Sequence, residues 1–134
     1  MIIFVKTYTS YFGNIKNLDI NKCVAICRWK PSWYKGAHYV KVAPTEQMIR
    51  SWKSGKQDTE AMNEYIRTYQ RDVLDHLDPE ETRLALEGKI LLCYEKPGDF
   101  CHRHLLAHWL NEHGVPCIEF NSDKKPPVEQ PSLF

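Results

Sequence analysis

Short apolar runs alternate along the chain with longer segments in which apolar residues recur at helical spacing. Short runs that are rich in isoleucine, valine, leucine and aromatic residues are typical of buried strands. We therefore predict strands over residues 2–5, 23–27, 90–94 and 117–120, and a shorter strand over residues 39–42.

The segments between these runs carry the signals of helices. Asp78 followed by Pro79 is a strong helix start, because aspartate caps free backbone N–H groups and proline fits the first turn. Thr59 is predicted to cap a long helix whose apolar residues keep helical spacing as far as Leu77. We predict helices over residues 44–53, 59–77, 79–88 and 100–112.

Strands and helices interleaved in this order indicate an α/β fold. Short connections with helical crossovers favour a mainly parallel sheet of about five strands flanked by helices. Residues 1–120 are expected to form this single domain. Residues 121–134 are rich in proline and charge, and are expected to form a flexible tail.

The tail ends in a short motif with two apolar anchors. Gln130 is followed three and four residues later by Leu133 and Phe134. This spacing resembles the peptide by which bacterial replication and repair proteins bind the sliding DNA clamp, in which an extended segment places adjacent apolar side chains in a pocket. In the alternative interpretation, Leu133 and Phe134 fold back onto an apolar patch of their own domain.

The net charge of +1 hides an uneven distribution. Residues 1–56 carry an excess of eight positive charges, whereas residues 57–99 carry an excess of six negative charges. Cations interleaved with flat rings suit single-stranded nucleic acid or a nucleotide, because they neutralise phosphates and stack on bases. A solvated lysine face above core aromatics is the competing interpretation. The basic aromatic segment, residues 28–41, includes Arg28, Trp29, Lys30, Trp33, Tyr34 and Lys35.

Cysteine usage and hydropathy bear on the cellular compartment. The five cysteines form an odd set without the spacing of a disulfide framework, which fits buried thiols in a reducing cytoplasm. No apolar run is long enough to span a bilayer, and residues 1–7 lack the features of a signal peptide, so we expect a cytoplasmic protein without a membrane partner. The sequence gives no indication of a cofactor.

A cluster of reactive residue types follows the strand predicted over residues 90–94. Glu95 lies at the end of this strand, and Cys101, His102 and Arg103 open the next helix. Ligands of open α/β sheets bind at such places, where free N–H groups hold anions and favour a reactive thiolate. We assign Cys101, His102 and Glu95 as candidate catalytic residues. Thr9, Ser10, Arg28 and Arg103 are candidate ligand-binding residues around the same anion pocket.

Two other interpretations of this segment remain open. Cys101 could be a small core residue, and His102 a core histidine bonded to a carbonyl group. Alternatively, Cys101, His104 and His108 lie on one stripe of a helix with a spacing that suits zinc. Cys93, His113 or Cys117 could then supply a further ligand.

The motifs together resemble the domain-of-unknown-function 488 family. Its signature is a strand running into Leu-Cys-x-Glu, followed by Cys-His-Arg at a helix start, here residues 92–95 and 101–103. Weaker similarities are the turn at residues 8–10 and the second strand ending at Arg28, although the acidic residue frequent in that strand is replaced here. The resemblance covers roughly residues 1–120 and implies an α/β fold with an unassigned activity, often suspected to concern nucleic acids or nucleotides.

We therefore expect a DNA- or nucleotide-associated enzyme of base repair or modification. Cys101 could act as a nucleophile, or Glu95 and His102 as an acid–base pair. A non-catalytic nucleotide or nucleic-acid adaptor and a small metal-binding structural protein are the alternatives. The expected partners are a nucleotide or single-stranded nucleic acid and the bacterial sliding clamp.

Overall fold

The described part of the chain folds around a parallel β-sheet. The structure is a computed structural model that describes residues 6–96 and 98–120. The strand predicted over residues 2–5 and the clamp-like ending at 130–134 lie outside these residues. Five strands pair in the described part: β1 (Thr7–Tyr11), β2 (Cys23–Ala25), β3 (Ala37–His38), β4 (Ile90–Cys93) and β5 (Cys117–Glu119).

All of these strands run parallel, in the order β3-β2-β4-β1-β5. β4 lies between β1 and β2, with Leu91 opposite both Thr9 and Val24. Four helices accompany the sheet in the described residues, and the α/β prediction with a mainly parallel sheet is confirmed. They are α1 (Glu46–Ser54), α2 (Thr59–Asp72), α3 (Pro79–Leu86) and α4 (His102–Glu112).

The first described strand corrects one sequence-based expectation. Residues 8–10 were expected to form a turn, but they lie within β1. Polar residues are tolerated in this buried strand because their hydroxyl groups are satisfied: Thr7 accepts from the Gly88 N–H at 2.9 Å, and Thr9 donates to Glu119 at 2.5 Å. Threonine also has a high strand propensity.

α2 and α3 begin after residues whose side chains cap free backbone N–H groups, although some bounds of the elements differ from the predicted ones. Asp58, and not Thr59, caps α2 by accepting the Ala61 N–H, whereas Asp78 caps α3 as its sequence indicates. α2 ends at Asp72, and a separate 3₁₀ turn over residues 74–76 replaces the end of the predicted helix. A 3₁₀ turn over residues 40–42 also replaces the predicted short strand, while β3 forms just before it.

The two faces of the sheet are covered differently. Val24, Leu91 and Cys93 belong to a core that contains buried residues of all four helices. Alternate strand residues such as Ala25 and Leu92 point the other way and pack with Phe12 and other residues outside these helices. In the described residues, every helix is too short or too polar to cross a lipid bilayer.

Candidate ligand-binding site

A cleft opens at the carboxyl ends of β2 and β4, with a volume of about 190 Å³. The chain leaves β2 towards β3 at one edge of the sheet, and leaves β4 towards β5 on the opposite side. Ligands of parallel α/β sheets bind where neighbouring strands send their connections in opposite directions, because the diverging loops leave a crevice there. The topology therefore places this cleft where a ligand is expected.

Five parts of the chain build the cleft. They are the loop that follows β2, the end of β4, the start of α4, α1 together with Pro44 just before it, and one side chain of α2. Tyr94 donates its hydroxyl group to the Trp29 carbonyl oxygen at 2.7 Å and so connects the loops that follow β4 and β2. The lining residues are Cys27, Arg28, Trp29, Pro44, Ile49, Trp52, Lys53, Tyr65, Cys93, Tyr94, Glu95, Phe100, Cys101 and His102.

Three aromatic rings pack into one wall of the cleft. The Phe100 ring lies 4.9 Å from the Trp52 ring and 5.1 Å from the Tyr65 ring, measured between centroids. Phe100 comes just before α4, so this wall connects the cysteine-bearing end of α4 to α1 and α2. Trp29 and Tyr94 add exposed aromatic surface at the opposite side. The cleft is therefore rich in flat apolar surface on which a planar ligand can stack.

Two cations accompany these rings. Arg28 is anchored through its Nε atom, which donates to the Pro44 carbonyl oxygen at 2.7 Å. Within the described residues its terminal nitrogens form no hydrogen bond, so they remain able to bind a ligand anion. Lys53 lies near the end of α1 and is exposed.

Two sulfur atoms and a carboxylate lie together inside the cleft. A disulfide bond joins Cys93 to Cys101, whose Cα atoms are 7.7 Å apart. Glu95 Oε1 lies 3.7 Å from Cys93 Sγ. Cys101 is the N-cap of α4, where its sulfur accepts the Arg103 N–H at 3.5 Å. We call this set of Cys93, Glu95 and Cys101 the floor of the cleft.

Arg103 does not line the cleft, which corrects the expectation that it would bind a ligand anion beside Arg28. Its side chain is fully buried and forms two bonds, of 3.1 and 3.0 Å, to the Glu119 carboxylate. Its Nη1 atom donates to Cys93 Sγ at 2.9 Å and to the Glu95 carbonyl oxygen. A guanidinium already bonded to an internal carboxylate is unsuited to a ligand, so Arg103 supports the floor from below.

His102 is buried and held in one orientation. Its Nε2 atom lies 2.8 Å from the Ile26 carbonyl oxygen, and its Nδ1 atom lies 3.8 Å from Cys101 Sγ. A carbonyl can only accept, so Nε2 carries the proton and Nδ1 of the neutral ring faces the sulfur. Burial lowers the pKa of His102 to about 4, although the bond to Ile26 acts in the opposite direction. At neutral pH this ring is therefore poorly suited to donate a proton as the acid partner of Glu95.

Thr9 and Ser10 also lie away from the cleft. Thr9 is bonded to Glu119, and Ser10 accepts a hydrogen bond from the Asn14 side chain at 3.1 Å. Both residues are buried in β1, which is separated from β2 by β4. Thr9 thus belongs to the network that holds Arg103, and the geometry does not place either residue against a ligand in the cleft.

Comparison with known families identifies the family of this chain. The family model described as "DUF488-N3a: Active DUF488-N3 subclade" matches residues 16–114, which is more than half of the chain. The chain belongs to this DUF488 family. No curated protein matches it, and no solved structure does so either. The matched range includes all residues that line the cleft, whereas Thr9 and Glu119 lie outside it.

The basic aromatic segment of this DUF488 protein divides into two groups. Arg28 and Trp29 line the cleft, whereas Trp33 and Lys35 are exposed outside it. Tyr34 is a core residue, contrary to its expected contact with nucleic acid, since it is buried and its hydroxyl donates to the Ala37 carbonyl oxygen at 2.8 Å. Lys30 is exposed and donates to the Tyr34 carbonyl oxygen at 2.9 Å.

The other three cysteines of the DUF488 domain are buried. Burial raises the pKa of the Cys23 and Cys27 thiols to about 11, and that of Cys117 to about 12.

The histidine stripe predicted on α4 faces away from the cysteine sulfurs. His104 and His108 are exposed, and His108 pairs with Glu112 at 3.2 Å. Cys101 therefore has Cys93 and Glu95 as its nearest potential co-ligands in the described residues, and not the histidines.

Several residues of the cleft were not recognised from the sequence. Trp52, Lys53 and Phe100 carried no motif, and Tyr65 was counted only among the core positions of its helix. The amphipathic pattern of α1 shows which side of the helix is buried, but it does not show that one end reaches a ligand site. An inventory of aromatic residues near predicted helix ends would have included Trp52 and Phe100, but not Lys53 or Tyr65.

Proposed function

We propose that this protein binds a nucleotide in the cleft, either free or as an unpaired base of single-stranded nucleic acid, and acts on it as an enzyme of base or nucleotide repair or modification. The observation that carries the proposal is the combination in one cleft of stacking rings, two cations and a floor of sulfur and carboxylate. Flat rings suit a base and cations suit its phosphate. Reactive groups next to a stacked base suit chemistry on that base.

The proposed binding mode follows from where these groups lie. The base would stack on the wall formed by Trp52, Tyr65 and Phe100, and Trp29 would cover it from the side of β2. The phosphate would contact Arg28 and Lys53. A base in this position has its reacting edge towards the floor.

The reacting groups of the proposed enzyme are Cys101 and Glu95. Once the disulfide bond to Cys93 is reduced, Cys101 lies at the N-terminus of α4, where the helix dipole and the Arg103 N–H favour a negatively charged sulfur. His102 acts as a positioning residue, because its neutral ring is fixed by Ile26 and presents Nδ1 to the Cys101 sulfur.

Binding is tested by titrating the full chain with each of the common mononucleotides while tryptophan fluorescence is recorded. Trp29→Ala and Lys53→Ala should each weaken binding by at least about fivefold, since stacking of a base on one aromatic ring is worth roughly 1–3 kcal/mol and a hydrogen bond to a charged group roughly 1.5–3 kcal/mol. Trp33→Ala is the matched control, because Trp33 is as exposed as Trp29 but does not line the cleft. Equal losses in the two tryptophan variants, or no binding of any mononucleotide, would contradict the proposal.

Turnover distinguishes an enzyme from a binding adaptor. The reduced protein is incubated with mononucleotides and with a single-stranded oligonucleotide containing all bases, and products are followed by mass spectrometry. The enzyme proposal expects a change of mass in one base or the release of a base, which Glu95→Gln abolishes while nucleotide binding remains. Binding without any product under these conditions would instead support the adaptor.

We also propose that the chain is delivered to DNA by its last residues. The support is the sequence of Gln130, Leu133 and Phe134, which resembles a sliding-clamp-binding peptide at the end of a proline- and charge-rich segment. Such a short anchor gives modest affinity, on the order of micromolar, and gains effect through the increased local concentration of the attached domain.

A further inference from the structure

We propose that, in the reduced protein, Cys93, Cys101 and Glu95 bind a soft divalent cation such as Zn²⁺ at the floor of the cleft. The donor atoms of these three side chains all lie within 4.8 Å of one another. Two thiolates and one carboxylate are a donor set that zinc accepts, and a site with three protein ligands leaves one coordination position open. That open position would face the cleft, since all three residues line it.

The backbone geometry favours two ligands on one ion. The Cα atoms of Cys93 and Cys101 are 7.7 Å apart, whereas disulfides usually join Cα atoms about 4.4–6.8 Å apart. Two sulfurs on one zinc ion lie roughly 3.8 Å from each other, because each Zn–S bond is about 2.3 Å and the geometry is tetrahedral. After reduction the two sulfurs can separate to this distance, which suits the wide spacing of the two Cα atoms better than a direct S–S bond does.

The surroundings of the sulfurs are those of thiolate ligands. Arg103 Nη1 donates to Cys93 Sγ at 2.9 Å, and the Arg103 backbone N–H donates to Cys101 Sγ at 3.5 Å. Hydrogen bonds of this kind stabilise metal-bound thiolates and orient them. Two thiolates, one carboxylate and a divalent cation sum to one negative charge, which the neighbouring Arg103, already shared with Glu119, helps to offset.

Binding of the ion to the disulfide-bonded protein takes two chemical steps. A phosphine reductant and one water molecule first convert the disulfide to two thiols: the water supplies both thiol protons, and its oxygen is transferred to the phosphine, which becomes the phosphine oxide. The cation then displaces one proton from each thiol, so that two protons are released for each ion bound.

This inference deepens the proposed function, because Cys101 and Glu95 would then act on the base by holding an ion whose bound water is the reacting group, and not by direct attack of the Cys101 sulfur. Only the catalytic role of the ion rests on the proposed function; the binding of the ion does not. Binding of the ion is measured without any nucleotide, and nucleotide binding is measured separately. Failure to bind an ion while nucleotides still bind would overturn this inference alone.

The test uses the full chain, reduced with a phosphine and freed of it under anaerobic conditions. Co²⁺ is added while thiolate-to-cobalt charge transfer is recorded in the near ultraviolet, and Zn²⁺ is then added as a competitor. We expect one ion per chain, release of two protons, and displacement of Co²⁺ by Zn²⁺. Cys93→Ser and Cys101→Ser should each abolish tight binding. Glu95→Gln, which removes the carboxylate of the floor, should weaken binding by at least about tenfold.

Two control variants separate this site from other donors. Cys117→Ser removes a buried thiol outside the floor, and His108→Gln removes a histidine of the alternative stripe. Both should bind the ion as the unchanged chain does, and circular dichroism should show that every variant is folded. The proposal is overturned if the reduced chain binds no ion, if Glu95→Gln binds it with unchanged affinity, or if His108→Gln loses it.

Discussion

At the scale of single residues, Arg103 shows how an apparent ligand-binding residue becomes a structural one. Its guanidinium donates hydrogen bonds to three groups at once: the Glu119 carboxylate, the Cys93 sulfur and the Glu95 carbonyl oxygen. Removing a partner from a buried ion pair leaves the other charge without compensation, which is costly even where the intact pair adds little. The residue therefore affects the floor through Cys93 and not by touching a ligand.

We predict that Arg103→Ala lowers the free energy of unfolding by about 3–5 kcal/mol. Arg67→Ala is the matched control, because Arg67 forms an exposed ion pair with Glu64, and such pairs contribute at most about 1 kcal/mol. Urea unfolding at neutral pH measures both values. Equal, small losses in the two variants would show that the network around Arg103 is not structurally important.

His102 is predicted to make the fold sensitive to acid. Its pKa is about 4 in the folded chain, against an ordinary value of 6.5. Between these values the unfolded chain binds a proton that the folded chain does not, so stability falls as pH decreases from about 6.5 to about 4. The contribution lost by pH 5 is on the order of 2 kcal/mol, since one pKa unit corresponds to about 1.4 kcal/mol.

Urea unfolding at pH 7 and pH 5 provides the measurement for this prediction. His102→Gln should unfold with a smaller difference between the two pH values than the unchanged chain. His108→Gln should keep the full difference, because His108 is exposed. An identical pH response in His102→Gln and the unchanged chain would mean that another group causes the acid sensitivity.

At the scale of elements, the aromatic content of the basic segment is divided between core and surface. Tyr34 packs 5.4 Å from Phe12, which explains why a tyrosine of this segment is buried beneath a basic loop. Trp29 and Trp33 remain more than half exposed, at 54% and 56%. The core interpretation therefore holds for Tyr34, whereas binding of nucleic acid by Trp29 and Trp33 stays a prediction.

We predict that single-stranded DNA binds to this surface with an affinity that falls steeply with salt. Lys35→Ala should reduce the slope of the logarithm of affinity against the logarithm of salt concentration by roughly 0.7, the value for one phosphate contact in a single strand. Fluorescence anisotropy of a labelled oligonucleotide measures the slope. Lys56→Ala is a control, because Lys56 is exposed in the connection between α1 and α2. An affinity that does not change with salt would contradict the prediction.

Comparison of the predicted and observed elements shows which features of the fold follow from local sequence patterns and which do not. The strand at Ile90–Cys93 and the helix at His102–Glu112 were predicted within two residues of their observed bounds, because apolar runs and caps are local signals. β1 was misassigned because its two threonines, Thr7 and Thr9, are satisfied by partners more than seventy residues away, Gly88 and Glu119. The same distant pairing with Glu119 removed Arg103 from the predicted site.

At the scale of the whole molecule, the order of the strands creates the site. β2 and β4 become neighbours although more than sixty residues separate them, and their loops bring Arg28 and Trp29 to Glu95 and Cys101. The juxtaposition of Arg28 with Glu95 and Cys101 was expected from the rule for parallel sheets. The contribution of α1 and α2 to the cleft was not expected, because no local sequence pattern shows which helices lie next to the end of a strand.

We predict that the domain and its ending are separable. Truncation after Asp123 should change the thermal midpoint by no more than about 2 °C, while it abolishes binding to a bacterial sliding clamp. Leu133→Ala with Phe134→Ala in the full chain should do the same, and Gln70→Ala on exposed α2 serves as a control for the binding measurement. Calorimetry and surface plasmon resonance provide the two readouts. A large loss of stability on truncation would indicate that the ending is part of the core.

The central claim is that the cleft between β2 and β4 is a nucleotide site. Its most direct test is a crystal structure of the reduced full chain with the mononucleotide that binds best. The account predicts a base stacked against Trp52 and Phe100, a phosphate on Arg28 and Lys53, and the base edge towards Cys101. A nucleotide bound elsewhere, with this cleft containing only solvent, would contradict the account.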